Sequence, residues 1–215
     1  KLKNELEAIL LPRYKPSKIQ LKKPFKARKY QLAARGFFEK CPRLLIADEF
    51  GLGKSLTSLL PTFKPGKLPM IIVCQNNLQK QWDEDVIQKF TTLSTHKIKT
   101  RKMYDLPPAD VYIVRYSCLS GWTSIFRSGF FKYAVFDECQ ELRRRESEKY
   151  NAAEILAESI EYCMGLSATP IFNYGVEMWN VMNIIKRGCL GKFDTFKREW
   201  TNNGRDVKDP DALGA

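Results

Sequence analysis

Short apolar runs alternate along this chain with stretches of helical periodicity, and this alternation limits the fold more than any other feature. Four runs rich in branched side chains have the length of buried strands: 44–47, 70–74, 111–114 and 134–136. Apolar residues recur at helical spacing in three further segments, 77–90, 150–160 and 176–185. Together they predict an α/β fold with a mainly parallel sheet flanked by helices, whose ligands gather at the carboxyl ends of the strands.

A glycine-rich segment directly follows the first of these strands: Gly51, Leu52, Gly53, Lys54 and Ser55. Glycines let backbone N–H groups turn toward phosphates, the lysine reaches the outer phosphates, and the serine hydroxyl can bind Mg²⁺ ahead of the positive end of a helix. The general phosphate-loop pattern has a further glycine where this chain has Asp48. So short a match also fits an ordinary turn between strand and helix, and its context decides between the two.

Two adjacent carboxylates, Asp137 and Glu138, follow the strand at 134–136. A parallel sheet brings them to the same edge as Lys54. In a phosphoryl-transfer site the first carboxylate holds Mg²⁺ and the second orients or deprotonates the attacking water. Such a pair alone more often caps the next segment. Beside a phosphate loop, it predicts an ATP site in which Lys54, Asp137 and Glu138 are catalytic and Ser55 and Asp137 hold the metal.

Small hydroxyl side chains, Ser167 and Thr169, end a further probable strand. Their hydroxyls are suited to hydrogen-bond the acidic pair and to sense the phosphates. As an isolated string, the segment is only a strand that ends in a turn before a proline.

The order of these segments resembles that of Swi/Snf-type superfamily-2 motors. ADEFGLGKS is similar to the family's first motif, which also carries aspartate in place of the usual glycine, and DECQ stands where the family has DEAH. GLSATPIFN, EMW and FDTFKREW are similar to its third motif and the segments that follow it. IIVCQNNLQKQWDEDV resembles motif Ia, which approaches the nucleic-acid backbone, and RKYQ resembles the Q motif.

The resemblance implies a RecA-like P-loop NTPase lobe that binds ATP and Mg²⁺ over residues 25–200. A basic extension (1–24) precedes the lobe, and a polar tail or truncated linker (201–215) follows it. A second RecA-like lobe, which carries the arginine finger of this family, is expected outside the chain. In this resemblance Gln31 recognises adenine, and the nucleotide contacts continue through Asp48, Gly51, Leu52, Gly53, Lys54 and Ser55.

Two departures from the family concern the coupling of hydrolysis to the second lobe. Gln140 replaces a histidine, and SAT replaces the commoner hydroxyl–glycine–threonine, so that Gln140, Ser167 and Thr169 are the expected coupling residues. The implied function is an ATP hydrolase that translocates on double-stranded DNA through backbone contacts, for remodelling or for branch and fork processing. One alternative is a strand-separating helicase, which SAT favours and EMW disfavours. Another is a nucleotide-gated DNA-binding module that no longer hydrolyses ATP, against which the intact Lys54, Asp137 and Glu138 argue.

Composition adds weaker expectations. A net charge of +12 fits a polyanionic partner and, equally, a solubilising surface, and we interpret Arg143, Arg144 and Arg145 as a solvated run rather than a phosphate contact. The six scattered cysteines are expected to be reduced core thiols, and the single histidine, His96, excludes a multi-histidine metal site. No apolar run reaches the ~18 residues of a membrane span, so we expect a soluble, intracellular protein with no membrane partner.

Overall fold

The computed structural model describes residues 21–169 and 175–209. Within them lies one six-stranded sheet of β1 (Arg43–Ile46), β2 (Met70–Cys74), β3 (Thr95–Ile98), β4 (Val111–Arg115), β5 (Tyr133–Asp137) and β6 (Tyr162–Leu166). The strand order is β1-β6-β5-β2-β4-β3, and every neighbouring pair is parallel. The predicted parallel α/β fold is therefore confirmed.

Within the described residues, helices connect all successive strands except β3 and β4, which a loop joins. The α-helices are α1 (Lys29–Lys40), α2 (Lys54–Leu59), α3 (Thr123–Arg127), α4 (Glu148–Glu158), α5 (Gly175–Ile185) and α6 (Phe193–Trp200). A π-helix spans Gln81–Gln88, and 3₁₀-helices span Leu60–Phe63, Tyr116–Trp122 and Cys139–Leu142. No helix in 21–169 or 175–209 is long and apolar enough to cross a membrane.

Both faces of the sheet are buried, as a parallel sheet requires. Ile71 and Val73 of β2 belong to one apolar cluster with α3, α4 and α5, whereas Met70 and Ile72 belong to a second with α1, α2 and the π-helix. β2 is buried along its whole length, because it lies inside the sheet with a layer on each face. The carboxyl ends of the strands remain as the edge at which ligands can reach several of them at once.

Several sequence expectations need correction. β3 was not predicted, and neither was α1, which covers the segment that resembles the Q motif. All six cysteines are free thiols, as expected, and four of them are buried. The expectation that they lie in the core is wrong for Cys189, which is exposed, and Cys41 is only partly buried. Three parts of the chain lie outside the described residues: 1–20 of the proposed extension (1–24), the stretch 170–174, and 210–215 of the proposed tail (201–215).

Candidate functional site

Six of the predicted site residues meet in a cleft of ≈ 380 Å³ at the carboxyl edge of the sheet: Gly51, Gly53, Lys54, Ser55, Asp137 and Glu138. The other predicted site residues are not part of its lining: Gln31, Asp48, Leu52, Gln140, Ser167 and Thr169. The glycine-rich loop follows β1 and the acidic pair ends β5, and β6 lies between these two strands. The sheet order thus joins residues that are more than 80 positions apart in the sequence.

The loop depends on glycine for its backbone conformation. Gly51 and Gly53 have φ angles of +81° and +76°, in the left-handed region that side chains disfavour. A Cβ at Gly53 would also lie 2.8 Å from the side-chain nitrogen of Gln31. That nitrogen donates to the Gly53 carbonyl at 3.3 Å, while the Gln31 side-chain oxygen accepts from the Arg28 backbone N–H at 2.9 Å. Gln31 therefore supports the loop directly, and its contact with adenine stays a prediction.

Lys54 is held by the carbonyl groups of its own loop. Its Nζ donates to the backbone oxygens of Asp48 at 2.6 Å and Glu49 at 2.9 Å, and it lies 5.3 Å from the centre of the exposed Phe50 ring. Asp48, which stands in place of a glycine, thus acts here through its main chain. A phosphate that enters the cleft would compete with these two carbonyls for the ammonium group. The carbonyl of Leu52 accepts a hydrogen bond from the Tyr30 hydroxyl at 2.5 Å, which links the loop to α1.

Asp137 has an indole partner that the sequence reasoning did not identify. The Trp82 Nε1–H donates to Asp137 Oδ2 at 2.7 Å, and Trp82 lines the same cleft. Burial raises the pKa of Asp137 to about 6, and the neighbouring Glu138 charge acts in the same direction, whereas the indole hydrogen bond and Lys54 oppose the rise. In the sequence, Trp82 reads only as a core residue of a helix that covers the sheet.

Glu138 begins a chain of hydrogen bonds that ends at the third motif. Gln140 Nε2 donates to Glu138 Oε2 at 2.6 Å, the Ser167 hydroxyl donates to Gln140 Oε1 at 2.7 Å, and the Thr169 backbone N–H donates to the Ser167 hydroxyl at 2.9 Å. The sequence led us to expect a direct hydrogen bond from Ser167 to the acidic pair; instead, Ser167 reaches Glu138 through Gln140. Glu138 itself has a φ of +50°, an unfavourable conformation for a non-glycine residue and one that clusters at functional sites.

The arginine run is more structured than the sequence suggested. Arg143 is largely buried and lies 3.7 Å from Glu177 of α5, and the Arg145 guanidinium lies over the Trp179 ring at 5.3 Å. Arg144 is exposed. The expectation of a solvated run is wrong for Arg143, which packs against Glu177. It agrees with the exposure of Arg144 and Arg145, although the Arg145 guanidinium also contacts the Trp179 ring.

The groups in the cleft fit a magnesium–nucleotide complex. Mg²⁺ prefers oxygen ligands and is usually held by one or two carboxylates together with substrate phosphates. Asp137 and Ser55 both offer such oxygens in the lining of the cleft. Gly51, with no atom within 4 Å of its would-be Cβ, leaves the loop backbone open to phosphate. The site has the chemistry for phosphoryl transfer to water.

A family model, a solved structure and curated sequences of SNF2-type or helicase proteins all match this chain. Residues 30–210 match the SNF2-related domain. The fold is similar to the Sulfolobus solfataricus SWI2/SNF2 ATPase core in complex with dsDNA, with a TM-score of 0.71 and 25% identity over 86% of this chain and 40% of that one. In sequence the chain is 26% identical to the uncharacterised ATP-dependent helicase YqhH of Bacillus subtilis, over 91% of this chain and 34% of the relative. A chromatin regulator of Caenorhabditis elegans, the SWI/SNF-related subfamily A-like protein 1 homolog, is 24% identical over 74% of this chain and 24% of its own length.

Proposed function

Because this chain belongs to the SNF2-related domain family, we propose that it is the ATP-binding lobe of a DNA-dependent ATPase that translocates on double-stranded DNA. The observation that carries the proposal is the single cleft that Lys54, Ser55, Asp137 and Glu138 share. The chain spans about a third of the length of its Bacillus relative. The activity of a whole protein, including a second lobe, is accordingly part of the proposal.

In this function the polar residues of the cleft divide the binding of the nucleotide and the chemistry among them. Bound Mg²⁺ would offset the charge that develops between the outer phosphates. Ser55 and Asp137 would hold the ion, and the Lys54 ammonium would leave the loop carbonyls for the outer phosphates. Glu138 would orient the attacking water and accept its proton. Gln140 and Ser167, which are hydrogen-bonded in a chain to Glu138, would couple hydrolysis to a second lobe.

Lys54→Ala tests the phosphate assignment in the chain as it stands. We expect the affinity for ATP with Mg²⁺ to fall by about 10- to 100-fold, because hydrogen bonds to charged groups are worth about 1.5–3 kcal/mol. Isothermal titration calorimetry measures this change. Lys80→Ala is the matched control, since Lys80 is an exposed lysine on the helix next to the cleft and pairs only at the surface with Glu84. Equal affinities for the two variants would remove Lys54 from the site.

A DNA-binding surface is proposed beside the cleft. A second cleft of ≈ 460 Å³ at the same edge has amide and hydroxyl groups in its lining, Gln75, Asn76 and Ser117 among them, together with Lys149 and the carboxylate of Glu141. Lys149 pairs with Glu141. The amides, hydroxyls and lysine suit phosphate oxygens and offer no evident element for reading bases. A DNA phosphate would have to replace the Glu141 carboxylate as the partner of the Lys149 ammonium. The S. solfataricus core was solved with double-stranded DNA, and the motif Ia resemblance assigns the same region to the nucleic-acid backbone.

We therefore expect binding to duplex DNA that depends steeply on salt and little on sequence. Lys149→Gln should reduce the slope of log K against log salt by about one, as the loss of one phosphate contact does. Lys132→Gln is the control, because Lys132 is an exposed lysine that precedes β5 and lies toward the opposite edge of the sheet. Fluorescence anisotropy with duplexes of unrelated sequence gives the slopes. Binding that ignores salt, or that is confined to one sequence, contradicts the proposal.

A further inference from the structure

We infer that Trp82 is a positioning residue for the carboxylate of Asp137: its indole N–H holds one oxygen of Asp137 and leaves the other for Mg²⁺. The inference rests on the proposed function, because it assigns Asp137 to the metal. The hydrogen bond is 2.7 Å long and Trp82 is 2% exposed. Within residues 21–169 and 175–209, no other side chain donates a hydrogen bond to this carboxylate.

The main chain of Asp137 is held separately. Its carbonyl accepts a hydrogen bond from the Tyr116 hydroxyl at 2.9 Å, and Tyr116 is buried. Tyr116 thus fixes the backbone at the end of β5, while Trp82 fixes the carboxylate. Partners of metal-bound carboxylates commonly orient them in this way, and their loss typically weakens metal binding by 10- to 100-fold.

The helix that carries Trp82 is anchored on both sides of this residue. Gln79 donates to the carbonyls of Ile98 in β3 at 3.0 Å and Ile113 in β4 at 2.8 Å. The buried carboxylate of Asp83 accepts from Lys97 at 2.5 Å and from the Thr95 hydroxyl at 2.6 Å, both on β3. The segment Gln81–Gln88 is also π-helical, a rare form that is frequent at functional sites. The contacts of Gln79 and Asp83 fix the chain on both sides of Trp82.

The ordinary role of a buried tryptophan does not explain this choice of partner. A buried indole N–H needs an acceptor, and a backbone carbonyl is sufficient. Trp122 donates to the carbonyl of Thr100 at 2.8 Å, and Trp179 donates to that of Gly191 at 3.0 Å. Trp82 instead donates to a carboxylate inside the candidate nucleotide cleft, where the hydrogen bond is charge-assisted and directional.

Trp82→Phe, in the 215-residue chain, tests the inference through the Mg²⁺ dependence of nucleotide binding. The probe is a methylanthraniloyl derivative of ADP, followed by its own anisotropy so that energy transfer from tryptophan does not enter. We expect the Mg²⁺ concentration at half-maximal binding to rise by about 10-fold or more, and binding in EDTA to stay unchanged. Trp122→Phe removes an equally buried indole N–H outside the cleft and should leave the Mg²⁺ midpoint unchanged.

The outcomes distinguish a positioning role of Trp82 from a packing role, and both from a failure of the proposed function. An unchanged Mg²⁺ midpoint for Trp82→Phe overturns the inference, as does an equal loss of binding with and without Mg²⁺, which indicates a packing role only. If the unchanged chain binds no nucleotide at all, the proposed function fails, and the inference fails with it. If Trp82→Phe does not fold, benzothienylalanine at position 82 keeps the bicyclic shape without the N–H, and the same Mg²⁺ midpoints apply.

Discussion

Glu138→Gln is expected to slow ATP hydrolysis by about 10²- to 10⁴-fold, the usual contribution of a group that moves a proton in the transition state, while ATP stays bound. Glutamine keeps the length and one oxygen of the side chain. That oxygen can still accept the hydrogen bond from Gln140 that Glu138 accepts at 2.6 Å. Only the negative charge and the capacity to take a proton from water are lost, so binding and hydrolysis should separate.

The backbone gives no reason to expect unfolding of this variant. Glu138 has a φ of +50°, and glutamine is under the same strain there as glutamate. The measurement compares bound ATP with released phosphate in a single turnover, in a version of the protein long enough to include a second lobe. Glu146→Gln removes the same charge from an exposed position eight residues further along the chain, and should hydrolyse ATP within about twofold of the unchanged protein. Equal rates for the two variants would mean that another group activates the water.

The parts of the fold that the sequence predicts are those with a strong local signal. β2 lies inside the sheet and is buried on both faces, so MIIVC stands out as a continuous apolar run. β3 is an edge strand whose first three residues, Thr95, His96 and Lys97, are only partly buried. Polar side chains are tolerated at such an edge, and the apolar run by which the other strands were found is absent.

The residues of the site likewise include some that the sequence identifies and some contacts that it does not. The glycine-rich loop is a contiguous string, and the acidic pair ends a recognisable strand, so both can be located in the sequence, and the parallel sheet then brings them together. The partner of Trp82 is 55 residues away, and Gln140 and Ser167 are 27 residues apart. Which donor meets which acceptor over such separations depends on strand order and helix anchoring. Neither can be read from residue types alone.

The chain by itself is expected to bind ATP with Mg²⁺ but to hydrolyse it about 10³- to 10⁵-fold more slowly than a version that includes a second lobe, the range for loss of an arginine finger. In the described residues, Lys54 is the cationic side chain among those that line the cleft. Beside Mg²⁺, a single lysine on the outer phosphates leaves the transferring group without a second cationic side chain. DNA should therefore stimulate the isolated chain very little.

The arginines that closely follow the acidic pair in the sequence do not offer a substitute in this arrangement. Arg143 lies beside Glu177, and Arg145 packs over Trp179 and Phe193, so both guanidinium groups are directed to α5 and α6. Phosphate release is to be measured for the chain and for the longer version, with and without duplex DNA, and the Lys54→Ala form of each gives the contaminating background. Stimulation by DNA should appear only in the longer version. Vigorous stimulation of the chain alone would mean that an arginine of this run, or one from a second copy, completes the site, and the proposed division of labour between two lobes would be wrong.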